Sequence, residues 1–134
     1  MWQATAGATA VQEVLVTKVI DGDTFIIEGG EHVRMLGMDT DEKGYPCYAG
    51  AKTALEEMVL NRRVLLESDV EDKDQYGRLL RWVWLNDTLV NFEMVKNGLA
   101  VARFDSDANY REEIRAAERA AIVNNVGCKW ASLK

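Results

Sequence analysis

The sequence predicts an α+β fold in which five short strands close into a barrel that carries three helices. Two observations lead there. β-branched residues crowd the first quarter of the chain between turn signals, and from Ala51 onward the apolar residues shift to helical spacing before two further strands follow. With 134 residues, against about 150 for an ordinary domain, one folded unit is expected.

Val14, Val16, Val19, Ile20, Phe25, Ile26, Ile27 and Val33 are interrupted by Asp21-Gly22-Asp23 and by Gly29-Gly30, which predicts a three-stranded meander over residues 11–36. Residues 37–48 are irregular. Ala51, Ala54, Leu55, Met58 and Val59 then share one helical face, predicting a first helix that ends by Asn61 and Arg62. Residues 64–68 and 79–85 read as the fourth and fifth strands, joined by a polar segment. A second helix is expected from about residue 88 to 97, with Gly98 past its end. Asn109 followed by Glu112 has the form of a capping box and predicts a third helix through about Asn124. The expected domain spans residues 11–131, with a flexible lead at 1–10 and a tail at 132–134.

Composition narrows the function. Sixteen Lys and Arg against twenty-two Asp and Glu give a net charge of −6, so a protein that coats nucleic acid by bulk electrostatics is disfavoured and any nucleic-acid function must be local. A hydrophobic fraction of 48% excludes disorder. No run approaches the about 20 apolar residues of a membrane helix, so no membrane span is expected. The first ten residues lack the basic and apolar regions of a signal peptide, and Cys47 and Cys128 lack zinc-site spacing.

Three groups at strand ends could carry chemistry: Asp21-Gly22-Asp23-Thr24, the run from Arg34 to Glu42, and Tyr76-Gly77-Arg78. Asp23, Asp39 and Glu42 are oxygen ligands or bases without a His or Cys cluster, which favours Ca²⁺ or Mg²⁺ over zinc. An EF-hand is rejected, because its best register from Asp72 places Tyr76 and Val83 at ligand positions. Each group also has a plainer explanation. Asp-Gly-Asp is common turn chemistry, a strand arginine is commonly a surface residue, and acidic loop residues are commonly solvated. Only their order and spacing discriminate. His32, the one histidine, reads as a surface imidazole. Trp82, Trp84 and Leu85 read as barrel core and cover or as a base-stacking platform. Met35, Met38, Met58 and Met94 read as core filling, and Asp69, Glu71, Asp72 and Asp74 as a solvated loop.

Taken in order, Val19-Ile20-Asp21-Gly22-Asp23-Thr24, then Arg34-Met35-Leu36-Gly37-Met38-Asp39-Thr40-Asp41-Glu42, then Asp74-Gln75-Tyr76-Gly77-Arg78 resemble the motifs of the staphylococcal nuclease (thermonuclease) family. Val90-Asn91, Gly98-Leu99-Ala100 and Trp130 match weaker landmarks, and the resemblance runs from about residue 14 to 130. It implies a five-stranded OB-fold barrel with three helices and a Ca²⁺-dependent phosphodiesterase acting on DNA and RNA to give 3′-phosphate ends. Asp23 and Asp39 match the family's metal ligands, and Thr40 the position that gives a backbone carbonyl. Asp21 matches a nearby acid outside the ligand set. Glu42 matches the general base, Arg34 and Arg78 the pair that grips the scissile phosphate, and Tyr76 a nucleotide contact. Phe104 approximates the place of a base-stacking tyrosine. A monomer is expected, secreted or envelope-targeted, with the cytoplasm left open. A noncatalytic nucleic-acid or protein-binding module on the same scaffold is the alternative, and retention of Glu42, Arg34 and Arg78 argues against it.

Two departures bear on the site. Asp41 stands where the family commonly has proline, and Gln75 where a basic residue commonly precedes Tyr-Gly-Arg. Asp41 either joins the ligand shell of a cation or points into solvent. Cys47 and Cys128 either remain thiols or form a disulfide, which at that loop length would stabilise by roughly 4 to 5 kcal/mol in the chain-entropy account.

Overall fold

The computed structural model describes residues 11–107 and 109–131. The lead at 1–10 and the tail at 132–134 lie outside the described residues.

β1 (Val11–Asp21) is long enough to serve two neighbours. Its first half pairs antiparallel with β5 (Arg63–Glu67) and its second half with β2 (Thr24–Ile27). Irregularities between Val16 and Lys18 and between Val19 and Asp21 bend it from one partner to the other, as bulges do at barrel corners. β2 pairs with β3 (His32–Met35), and β5 with β6 (Leu79–Leu85). The ring closes where β3 pairs with β6 in parallel, Arg34 opposite Leu80. This is the expected five-stranded barrel.

Around it run α1 (Tyr48–Val59), α2 (Val90–Lys96), α3 (Arg111–Val123) and α4 (Gly127–Trp130). One apolar cluster joins Val16, Phe25, Val33, Leu66 and Trp82 of the barrel to Leu55, Val59, Met94 and Ile114 of the helices. Trp82 is fully buried and the partly buried Trp84 packs against the core, so these residues are core and cover, not a platform for bases. Met35, Met38 and Met94 fill the core and Met58 packs against it, while His32 is exposed. Among the described residues no helix is long and apolar enough to cross a membrane.

Several expectations are corrected. Short ladders β4 (Met38–Asp39) with β8 (Val101–Ala102), and β7 (Thr88–Leu89) with the end of β6, are additional, because two-residue strands carry no readable pattern. The second helix therefore starts at Val90, after a hairpin that turns at Asn86 with φ 55. α4 is a fourth helix of one turn, too short for periodicity. The capping box is absent: Tyr110, at φ 59, precedes α3 and no side chain caps it. The Tyr110 ring stands edge-on to Trp82 and its hydroxyl donates to Glu67 at 2.7 Å, which sets the turn instead. The segment 69–74 is not merely solvated. Asp69 accepts from Trp82 Nε1 at 2.9 Å, and Asp72 and Asp74 pair with Arg81 and Arg78 at 2.6 and 2.7 Å.

Asn91 secures the closure. Fully buried, it accepts from Val83 N and donates to Leu36 O, both at 2.8 Å, tying α2 to β6 and to the end of β3. Asn91→Leu leaves a buried donor and a buried acceptor unpaired at about 1 to 3 kcal/mol each. We expect a loss of about 2 to 5 kcal/mol in urea denaturation at neutral pH.

Candidate active site

The turn between β1 and β2 begins the site. Asp21 Oδ1 accepts from Asp23 N at 3.1 Å, the local bond by which aspartate favours turns. At Gly22 an added Cβ would stand 2.6 Å from Ala51 Cβ and 2.8 Å from Thr40 Cγ2, so glycine is what lets Thr40 approach. Buried Asp23 then accepts from the Thr24 hydroxyl at 2.9 Å and from both Thr40 N and Thr40 Oγ1 at 3.1 Å.

Arg34 reaches this carboxylate from β3, with Nη2 3.4 Å from Asp23 Oδ2 and 3.1 Å from Asp39 Oδ1. Its other nitrogen donates to the carbonyls of Met35 and Met38 at 2.7 and 3.0 Å, so the fork is fixed before any ligand arrives. Arg78 lies on the far side of Thr24. Its Nε donates to Asp74 at 2.7 Å, and its Nη1 stands 3.5 Å from Thr24 Oγ1. A continuous polar chain therefore runs from Asp74 through Arg78, Thr24, Asp23, Arg34 and Asp39 to Arg103, whose Nη1 is 3.5 Å from Asp39 Oδ2.

Burial opposes ionisation of Asp23, but Arg34 and the hydrogen bonds from its neighbours outweigh it and hold the carboxyl below its ordinary value. Asp21 is pushed up to about 6 by burial, then by a side-chain hydrogen bond with Asp23 and by the charge of that residue. Asp39 is raised as well, by burial and then by Asp23, against the pull of Arg34 and Arg103. Three neighbouring acids are thus only partly offset by arginine. Asp23, Asp39 and the Thr40 carbonyl offer hard oxygen donors, and a divalent cation relieves the remaining repulsion, so these residues fit such an ion. Among the described residues no three His, Cys, Asp or Glu side chains form a ready-made metal cluster.

A cleft of about 290 Å³ opens beside this chain, lined by Arg34, Asp74, Tyr76, Arg78 and Arg103 among others. Tyr76 is 76% exposed, with the Arg78 guanidinium 5.6 Å from its ring centre. Not every expected residue joins the group. Glu42 sits exposed on the loop after Thr40, and does not line the cleft. Phe104 packs beside Trp82 with Arg111 and Arg115 over its ring at 5.1 and 5.3 Å, and does not line the cleft either. Asp41 takes neither expected course: it accepts from Cys47 N at 2.9 Å and pairs with Lys129 at 2.7 Å. The two cysteines form a disulfide, Cα atoms 5.6 Å apart.

The sequence named Thr24 and Asp74 within its motifs without giving them a role, and did not single out Arg103. Asp74 carried a signal, an acid four residues before Arg78. Arg103 carried only its place as a lone cation after Gly98-Leu99-Ala100, and the β4–β8 ladder brings it to Asp39.

The sequence profile described as "Staphylococcal nuclease homologue" matches residues 32–131. The chain belongs to the staphylococcal nuclease family. It is similar to a thermonuclease of Staphylococcus intermedius, 40% identical over 120 residues that cover 82% of this chain and 71% of the relative. A thermonuclease of Staphylococcus hyicus is 37% identical with the same coverage. Endonuclease YncB of Bacillus subtilis (strain 168) is 33% identical, covering 81% of this chain and 57% of the relative. The parallel closure, Arg34, Asp39 and Arg78 lie within the matched region, and Asp23 lies before it.

Asp21 gives a signed pH dependence. Its folded value of about 6 exceeds the ordinary 3.8, so the folded chain holds the extra proton between them, and stability from this group is present below 3.8 and lost as pH rises through 6. Metal-free Asp21→Asn should melt higher than the parent at pH 7 and level with it below pH ~3.8, where both forms are neutral.

Proposed function

We propose that this protein is a nuclease, a Ca²⁺-dependent phosphodiesterase that hydrolyses DNA and RNA to fragments ending in 3′-phosphate. One observation carries the reading: Arg34 and Arg78 face a common cleft from either side of the Thr24–Asp23 pair, each pre-set by its own partners. Two forked cations held this way suit a phosphodiester, a group DNA and RNA share, whereas sugar-reading contacts are not required for the grip.

Asp23, Asp39 and the Thr40 carbonyl would hold the cation, which when bound supplies charge neutralisation and Lewis acidity at the phosphate. Three carboxylates, Asp23, Asp39 and Glu42, against two guanidiniums leave this set negative, and a divalent ion reverses its sign. Arg34 and Arg78 donate to the phosphoryl oxygens, and the donation strengthens as negative charge grows there in the transition state. Glu42 takes a proton from the attacking water. The water oxygen bonds to phosphorus, the bond from phosphorus to the 5′ oxygen breaks, and that oxygen takes a proton from solvent. Tyr76 contacts the nucleotide from the cleft rim. The disulfide supports an exported protein, since such bonds persist in oxidising compartments.

Purified protein should degrade denatured DNA with Ca²⁺ between pH 7 and 10, and a chelator should abolish this. Failure of clean enzyme to do so overturns the proposal in favour of a binding module. Glu42→Gln should lower kcat by about 10² to 10⁴, the usual range for a lost general base. Arg78→Lys should also cost turnover, because a point charge replaces a fork at the developing dianion. Near-full kcat in that variant would exclude forked recognition there.

A further inference from the structure

Glu42 stands in a short loop whose two ends are tied down, and the ties lead to the far end of the chain. On one side Thr40 is bound to Asp23 through both its amide and its hydroxyl. On the other, Asp41 accepts from Cys47 N at 2.9 Å, closing residues 41–47 into a ring, within which Tyr45 N donates to Glu42 O at 3.0 Å. The ring is then joined to α4 twice, by the Asp41–Lys129 pair at 2.7 Å and by the Cys47–Cys128 disulfide. Side-chain exposures of 14% for Asp41 and 23% for Lys129 set this pair apart from the freely solvated ion pairs that contribute little.

α4 is itself anchored. Lys129 N donates to Gly98 O at 2.8 Å, and Gly127, at φ 70, approaches so closely that an added Cβ would clash with Asn97 O and Gly98 O. The clasp therefore refers the loop to α2 and the core.

We propose that α4 is a clasp that positions Glu42, with Asp41 and Lys129 as positioning residues, and that its covalent half makes turnover respond to thiol redox state. This rests on the reading of Glu42 as the base. General-base catalysis needs the carboxylate within hydrogen-bond reach of its water, and a misplacement of about 1 Å can cost about 10²-fold. Glu42 has no side-chain hydrogen bond or ion pair of its own among the described residues, so its backbone must supply that placement. Reduction opens the covalent half. A dithiol thiolate attacks the sulfur of Cys128, an exposed residue, releasing the Cys47 thiolate and forming a mixed disulfide, which the second thiol of the reductant then displaces; the disulfide gains two electrons and two protons to become two thiols while the reductant becomes its cyclic disulfide.

Lys129→Met, Lys129→Arg and the parent, each with Glu42 and with Glu42→Gln, test this in steady-state cleavage of single-stranded DNA with Ca²⁺, well below melting. Lys129→Met should lower kcat about 10- to 10²-fold with little change in KM, and Lys129→Arg should recover most of it. In the Glu42→Gln background Lys129→Met should cost nothing further, because a positioning residue has no effect once the group it positions is gone. Dithiol-treated parent should show the same kcat loss, reversed on reoxidation, and the Cys47→Ser/Cys128→Ser variant should match it without responding to dithiol. In metal-free protein, amide exchange across residues 41–47 should quicken in Lys129→Met. An equal kcat loss in both backgrounds, or a lower melting temperature with kcat intact, overturns the clasp. Full turnover in Glu42→Gln alone instead overturns the reading of Glu42, and the clasp's catalytic role with it.

Discussion

The parallel pairing of β3 with β6 is the contact on which the rest of the molecule depends. It turns an open antiparallel sheet into a closed ring, and it brings together groups far apart in sequence. Arg34 lies in β3 between Thr24 on β2 and Leu80 on β6, so the residue just before β6, Arg78, arrives beside Thr24. Closure has a polar consequence where the two strands diverge: Leu36 N donates to Arg81 O at 3.0 Å, and Asn91 satisfies the remaining groups from α2. A buried asparagine is costly unless every polar atom is bonded, and here the cost enforces one geometry. Site and barrel are thus the same object seen from two sides.

Charge at the site is arranged, not accumulated. The protein as a whole is acidic at −6, which works against long-range attraction of a polyanion. Locally, each guanidinium is fixed by its own partners: two backbone carbonyls and two carboxylates hold both terminal nitrogens of Arg34, while Asp74 and Thr24 hold Arg78 through Nε and Nη1. Donors that need no reorganisation stabilise a developing charge more than mobile ones do. The acidic segment before β6 is part of this arrangement. Asp69, Asp72 and Asp74 bond in turn to Trp82, Arg81 and Arg78, lacing the segment along the strand it precedes.

The proposed clasp at α4 extends the same logic to the last helix of the described residues. A loop proposed to carry a catalytic carboxylate must reach solvent and substrate, so burial is not available to make it rigid. Cross-linking it to an anchored element supplies order without burial. Anchoring through Cys128 and Lys129, neighbours on one turn, constrains both position and orientation, which a single tie would not.

The amino-acid sequence alone specified the barrel's strands, the face of the first helix and the three motifs that carry Asp23, Arg34, Asp39 and Arg78. Alternation of apolar residues and turn chemistry are local properties, and so are written in local order. It did not reveal the two-residue ladders, the one-turn α4 or the start of α3, because each is imposed by contacts from elsewhere: Tyr110 by Glu67 and the tryptophans, Arg103 by the β4–β8 pairing. The acids of residues 69–74 looked solvated since two of their partners, Arg81 and Trp82, lie nine and thirteen positions on, in the strand that follows. Asp41 is the clearest case. Its neighbours in sequence suggested a ligand or a solvated side chain, yet its partner is eighty-eight positions away, and only the fold could bring Lys129 to it.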